Sequence, residues 1–118
     1  FFILYLPMVF RTAITVFSSL SQMKVKNLIL SQAGLTSVAD ISAANSVQIL
    51  DISLNAITDI SPLSNMTNVK ILNVSNNPII NFAVLQLCST LESITCAGVP
   101  VTSSDELIFA NAGISLIK

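Results

Sequence analysis

The side chains that could do chemistry in this 118-residue sequence are few. There is no histidine, so the sequence can form neither a Ser–His or Cys–His pair nor an imidazole metal site. Its three glycines form no phosphate-binding motif. Acid–base chemistry would have to come from six carboxylates, which are Asp40, Asp51, Asp59, Glu92, Asp105 and Glu106.

These carboxylates are not paired in the way that acid–base catalysis requires. Asp105 and Glu106 are adjacent, but they follow two serines, Ser103 and Ser104, and this order is typical of a helix that starts at a serine N-cap. Asp51 stands alone, with no partner placed by the sequence. We therefore expect no enzyme activity, no cofactor, no metal and no small-molecule substrate.

The two cysteines, Cys88 and Cys96, fall on positions where the repeat described below carries apolar side chains. A buried thiol behaves as a small apolar group. The sequence therefore predicts that both cysteines are free and buried, and a disulfide is the alternative if the chain is secreted.

The composition is that of a folded domain. Hydrophobic residues make up 53% of the chain and charged residues 9%, whereas disordered segments combine low hydrophobicity with high charge. The net charge of −1 gives no electrostatic basis for binding nucleic acid or an anionic membrane surface. The length allows a single domain.

The first residues have two interpretations. "FFILYLPMVF" is too short to span a bilayer, and it lacks the basic region and cleavage site of a signal peptide. Residues 1–17 are either part of a degenerate repeat or a trimmed signal or anchor segment. Membrane contact, if any, would come through segments that flank the repeats.

The elements that hold these side chains follow a 22-residue repeat. "VQILDISLNAITDISPLSNMTN" aligns without a gap with "VKILNVSNNPIINFAVLQLCST". We expect residues 1–118 to form one repeat array within a longer chain. Because no polar capping segment is visible at either end, we expect the isolated chain to associate. The copies are 3–24 (degenerate, with Leu6 and Met8 as its strand pair), 25–46, 47–68, 69–90, 91–112 and 113–118 (truncated).

Eight positions of each copy are predicted to face the core. In the repeat 47–68 they are Val47, Leu50, Ile52, Asn55, Ile57, Ile60, Leu63 and Met66. In the repeat 91–112 they are Leu91, Ile94, Cys96, Val99, Val101, Ser104, Leu107 and Ala110.

Two different periods alternate within each copy. Leu50 and Ile52 flank Asp51, which is the alternation of a short strand, and strands that recur without a hairpin turn must stack in parallel. From Ile57 to Met66 the apolar residues recur at every third position. That period fits 3₁₀ turns and extended pieces, because on an α-helix of 3.6 residues per turn the apolar stripe would wind around the axis.

The pattern LxxLxLxxNxIxxIxxLxxL resembles the leucine-rich repeat of the short, 22-residue class. "NAITDISPLSNMTNVKIL" is especially similar to the consensus of bacterial internalins, and the same class includes a eukaryotic regulatory subunit of protein phosphatase 1. The resemblance implies an α/β fold, a solenoid with a parallel β-sheet on the concave face and 3₁₀ or short helical turns on the convex face. It also implies that Asn55 and Asn77 form a structural asparagine ladder, from which Ala33 and Val99 depart.

The outward positions of the strands are the candidate protein-binding surface. Three of them, Ile29, Ile49 and Ile71, would form a small apolar patch with a polar rim. The alternative is that β-branched residues merely favour strands. The seventh position of each repeat, which is serine in three copies, is also predicted to face out. The candidate concave-face residues are Lys26, Asn27, Ile29, Ile49, Asp51, Ile71, Asn73, Ser93 and Thr95.

The resemblance implies a protein–protein interaction module, and the similarity to internalins favours a surface or secreted adhesion type over a cytoplasmic one. The alternatives are an intracellular regulatory scaffold of the phosphatase-associated type and a partial array without independent activity. In the first two cases the partner is another protein. Asn65 and Asn73 lie in N-x-[ST] sequons, which would carry glycans only in a eukaryotic secretory pathway.

Overall fold

The parallel sheet is built from one three-residue strand per repeat. The computed structural model describes residues 3–5 and 24–118. Its six strands stack in chain order, each hydrogen-bonded only to its neighbours in sequence. This confirms the predicted solenoid with a parallel sheet. The strands are β1 (Ile3–Tyr5), β2 (Asn27–Ile29), β3 (Ile49–Asp51), β4 (Ile71–Asn73), β5 (Ser93–Thr95) and β6 (Ser115–Ile117).

The register keeps equivalent residues of successive repeats side by side. Ile49 lies opposite Ile71, and Leu50 lies opposite Leu72. The middle residue of each strand from β2 to β5 is buried, and its two neighbours are at least partly exposed. One face of the sheet therefore packs on the core, and the other is accessible from outside.

The strand of the first repeat differs from the prediction. Leu6 and Met8 are wrong as its strand pair, because β1 is Ile3–Tyr5 and Leu4 is the residue opposite Leu28. β1 therefore begins two residues earlier than the repeat alignment requires, and its connection to β2 is correspondingly longer. Residues 6–23 of that copy lie outside the described part of the chain.

The return segments opposite the sheet are mostly 3₁₀ helices, as the three-residue period predicts. Pro62 lies at the start of one of them, where a missing N–H costs no hydrogen bond. Side chains in the last position of two repeats then close the coil: the Thr90 hydroxyl donates to the carbonyl of Val69 (2.7 Å) and the Ser46 hydroxyl to that of Val25 (2.8 Å). The 3₁₀ helices are Ala39–Ile41, Ser61–Asn65 and Phe82–Leu87.

The last repeat contains a true α-helix, α1 (Ser103–Asn111), and this corrects the predicted core. Ser104, Leu107 and Ala110 are exposed, because a turn of 3.6 residues does not keep every third residue on one side. Phe109 is buried instead and stacks at a tilt on Phe82, with ring centroids 5.0 Å apart.

Candidate functional site: the outward face of the sheet

The candidate site is the outward face of the sheet, called here the sheet face. Its residues come from the first and third positions of β2 to β5 and from Lys26, which directly precedes β2. Because each strand is only three residues long, two side chains per strand point outward on this face. The sheet face comprises Lys26, Asn27, Ile29, Ile49, Asp51, Ile71, Asn73, Ser93 and Thr95.

Two isoleucines lie side by side at the centre of the sheet face. Ile49 and Ile71 are paired in the β3–β4 register and are 37% and 45% exposed. Asn27 and Ser93 flank them in the same row of the sheet. Ile29, the third isoleucine of the predicted patch, is half-buried. The accessible apolar patch is therefore smaller than the sequence suggests and consists mainly of Ile49 and Ile71.

The polar residues of the neighbouring row are held by the turn that follows their strand. The Asp51 carboxylate accepts hydrogen bonds from the backbone N–H (2.9 Å) and the hydroxyl (2.6 Å) of Ser53. Asn73 Oδ1 accepts from the backbone N–H of Ser75 (3.1 Å). These bonds fix both side chains at one side of the isoleucine pair.

The prediction that the seventh positions face outward is wrong for two of the four repeats. Ser53 and Ser75 are buried, whereas Ala97 at the same position of the next repeat is exposed. The Ser75 hydroxyl accepts a hydrogen bond from the backbone N–H of Ala97 in the next coil (3.0 Å). Both serines support the turn and are absent from the accessible surface.

Asn55 joins two coils at this turn. Its Oδ1 accepts hydrogen bonds from the N–H groups of Ala33 (3.1 Å) and Leu35 (2.9 Å) in the preceding coil. Its Nδ2 donates to the carbonyl of Leu30 in that coil (3.0 Å) and to that of Ile52 in its own (2.8 Å). The side chain thus replaces backbone partners that the bend removes.

Asn77 repeats this arrangement one coil further on and is buried. Its Oδ1 accepts from the N–H of Ile57 (3.1 Å), and its Nδ2 donates to the carbonyls of Ile52 (2.9 Å) and Val74 (3.1 Å). Ile52 and Ile57 belong to the preceding coil. The strands of the sheet face are therefore anchored to one another from behind.

The turn after each strand of β2 to β5 contains at least one residue in the left-handed region, and the turn after β2 contains a second, Gly34, with a φ of 75°. A glycine adopts this conformation without strain. At Gly98 the lack of a side chain also leaves room for a neighbour, since a Cβ there would lie 2.5 Å from Asn76 Oδ1 unless that side chain moved. The φ angles are 54° at Gln32, 58° at Leu54, 58° at Asn76 and 74° at Gly98.

Both cysteines are free and lie in the core behind the sheet. Burial raises the pKa of the Cys88 thiol to about 11, and burial also raises the pKa of Cys96. The Cys88 thiol donates to the carbonyl of Leu63 (3.3 Å). A thiol that is buried and protonated at neutral pH is a packing group and a poor nucleophile.

Among the described residues, five large exposed apolar side chains lie outside the patch that the sequence predicts, and one of them, Leu54, is 48% exposed in the turn after β3. Ile117 is 52% exposed and pairs with Thr95, so it extends one row of the sheet face onto β6. Continuing the repeat register into residues 113–118 would have found it. Ile80, Leu87 and Leu107 are exposed away from the strands, and no sequence pattern distinguishes them.

The sequons lie in different places. Asn65 is exposed at the end of the 3₁₀ helix that contains Pro62. Asn73 is half-buried on the sheet face, so a glycan there would compete with any partner of Ile71.

Two other kinds of site are absent from the described residues. Over residues 24–118, no group of three or more acidic, cysteine or histidine side chains is placed to hold a metal ion. Within the same part of the chain, no helix has the length and apolar character needed to cross a membrane.

Comparisons with known proteins agree with the geometry of the coils. Residues 45–93 match the family model for leucine rich repeats in two copies. An internalin C2 from Listeria monocytogenes superposes with a TM-score of 0.64 at 24% identity, over 86% of this chain and 48% of that one. The internalin inlF of the same organism superposes with a TM-score of 0.59 at 19% identity, over 85% of this chain and 36% of that one.

The chain spans less than half of the length of either internalin. No curated protein sequence matches it. Residues 45–93 are therefore similar to leucine-rich repeats, and the solenoid that contains them resembles these internalins in fold.

Proposed function

We propose that this chain is a protein-binding module that contacts its partner through the sheet face. The observation that carries the proposal is the pairing of Ile49 and Ile71, two exposed isoleucines that lie side by side among polar side chains. Protein interfaces have this composition, an apolar centre within a polar rim. The hydrogen-bonded sheet beneath them lowers the entropic cost of binding, because the surface is already ordered.

The test compares two substitutions of the same type. Ile49→Glu with Ile71→Glu places two charges at the centre of the sheet face, and we expect the affinity for a partner purified with the parent chain to fall at least tenfold. Ile80→Glu is the control, because Ile80 is 81% exposed and lies outside the strands. If the double variant unfolds like the parent and still binds with parental affinity, the sheet face is not the binding surface.

The module is proposed to act at the cell surface or in secreted form, as an adhesion-type protein. Its support is the similarity of "NAITDISPLSNMTNVKIL" to the internalin consensus, together with the likeness of fold. An intracellular regulatory scaffold is the second candidate. The two free cysteines favour it, since thiols persist in reducing compartments.

Labelling of intact cells separates these two candidates. A membrane-impermeant biotin reagent should label the full-length protein on whole cells if it is exposed at the surface, and culture medium should contain it if it is secreted. Recovery only after lysis would support the intracellular scaffold. If the full-length protein binds no partner, the remaining alternative, a partial array without independent activity, would be supported.

A further inference from the structure

We infer that the partner segment on the sheet face presents an apolar side chain flanked by carboxylates. This inference rests on the proposed function, because it concerns the chemistry of the partner at that surface. The apolar part follows from Ile49 and Ile71, which together offer one shallow contact at the centre of the face. The acidic part follows from the charges at the edge of the sheet.

Two lysines lie at that edge, and one strand, β3, separates the strands that they precede. Lys26 directly precedes β2, Gln48 precedes β3 and Lys70 precedes β4. Their main chains are joined, since the N–H of Gln48 donates to the carbonyl of Lys26 (2.8 Å) and the N–H of Lys70 donates to that of Gln48 (2.8 Å). At the usual strand spacing, the two lysine backbones are about 10 Å apart, with the isoleucine pair beside them.

Within the described part of the chain, neither lysine forms an ion pair. The ion pair found there joins Lys118 to Glu106, at the last repeat. Asp51, the carboxylate on the sheet face itself, is held by Ser53 in the turn that follows β3. Glu92 continues the edge row beyond Lys70, and the exposed Lys24 adds a further positive charge before β2.

Three lysines, Lys24, Lys26 and Lys70, and one carboxylate, Glu92, therefore lie along this edge, which makes it net positive in a chain whose net charge is −1. A partner with carboxylates at this edge would be attracted over several ångströms, whereas a basic partner would meet unpaired ammonium groups. Charge therefore sets which apolar segments can approach, and the isoleucines supply the contact.

Selection from a library of random 12-residue peptides displayed on phage tests the inference with the 118-residue chain as the target. We expect the enriched peptides to contain apolar residues, with an Asp and Glu frequency at least twice that of the unselected library. For a synthetic peptide from this set, raising NaCl from 50 to 300 mM should weaken binding at least fivefold, because the contact is partly ionic.

Three variants identify the source of the selection, each first shown to unfold in urea at the parental midpoint. Lys26→Glu with Lys70→Glu should remove the acidic excess and leave the apolar preference. Ile49→Ser with Ile71→Ser should abolish enrichment. Lys118→Glu, a distant charge reversal, should change neither.

The outcomes distinguish the inference from the proposed function. Neutral or basic peptides enriched on the parent, or an acidic excess that survives Lys26→Glu with Lys70→Glu, would overturn the inference alone. Enrichment that survives Ile49→Ser with Ile71→Ser would overturn the proposed use of the sheet face. No enrichment on the parent chain would count against both.

Discussion

At the scale of single residues, the asparagine ladder shows how one side chain holds two coils together. Asn77 is 3% exposed, and its amide satisfies backbone groups of its own coil and of the preceding one. A buried backbone group left without a partner costs about 1–3 kcal/mol. The buried Asn77 side chain is stabilising because both of its polar atoms have hydrogen-bond partners in the bend.

We expect Asn77→Ala to lower the free energy of unfolding by about 2–4 kcal/mol, because it leaves several buried backbone groups unpaired. Urea denaturation of the two proteins measures the difference. Asn68→Ala is the matched control, since the Asn68 amide is exposed and donates only to the carbonyl of Asn45; its expected cost is below about 1 kcal/mol. Equal losses in the two variants would show that the ladder has no special role.

The raised pKa of Cys88 predicts that the free energy of unfolding depends on pH in the alkaline range. This pKa rises from 9.0 to about 11 on burial, so the folded state retains a proton that the unfolded state releases above pH 9. Stability from this source is complete below pH 9 and is lost as the pH rises to 11, by about 2–3 kcal/mol in total.

Urea unfolding at pH 8, 9.5 and 11 measures this loss. In Cys88→Ala we expect a lower stability at pH 8, because the side chain leaves a space, but a smaller decrease toward pH 11. Cys96, whose pKa burial also raises, accounts for the decrease that remains. An equally steep decrease in the variant and the parent would show that Cys88 is not the titrating group.

At the scale of elements, α1 is the part of the solenoid where local sequence overrides the three-residue period. Its N-cap is Thr102, one residue before the serines predicted to cap it. The Thr102 hydroxyl accepts from the N–H of Asp105 (3.1 Å), and the Asp105 carboxylate accepts from the N–H of Thr102 (3.0 Å). This reciprocal capping box starts a true α-helix.

We expect Thr102→Ala to destabilise the chain by about 1 kcal/mol through loss of the cap. Hydrogen exchange in the first turn of α1 should be faster in the variant than in the parent, whereas exchange in β3 should change less. Ser104→Ala is the control, because Ser104 lies exposed within the helix, where alanine is the better helix former. A parental exchange rate in Thr102→Ala would rule out the capping box as the start of the helix.

At the scale of the whole molecule, stability comes from stacking, since each coil buries its apolar face only against its neighbours. Cross-coil hydrogen bonds from Asn55, Asn77 and Ser75 accompany this stacking. Within the described sheet, β6 pairs with β5 on one side only. An unpaired strand edge with an exposed isoleucine, Ile117, favours association with another chain.

We therefore expect the isolated 118-residue chain to associate as its concentration rises, which sedimentation velocity would measure. Ile117→Lys should reduce association, because a lysine on an edge strand opposes pairing. Ile80→Lys adds the same charge away from the strands and should have a smaller effect. A single monomeric species at high concentration in the parent chain would contradict the expectation.

The repeat period, the parallel stacking and the 3₁₀ turns could be predicted from the sequence by itself. These features depend on residue spacing within one coil, and a period of two or three can be read from 22 consecutive residues. The same spacing selects Ile49 and Ile71 as outward neighbours. Spacing does not report how deeply a side chain is covered, so Ile29 could not be distinguished from the other two isoleucines.

Only the tertiary structure decided the features that depend on a neighbouring coil. Ser53 and Ser75 are buried, and both accept hydrogen bonds from the turn of an adjacent coil. The Ser53 carbonyl accepts from the N–H of Gln32, and the Ser75 hydroxyl accepts from the N–H of Ala97. Phe109 is buried in place of Leu107 because α1 packs against Phe82 of the preceding coil. The register of β1 is set by its pairing with β2. In each case the physical reason is the same, since local period defines which residues can face inward, and contact with the adjacent coil decides which ones do.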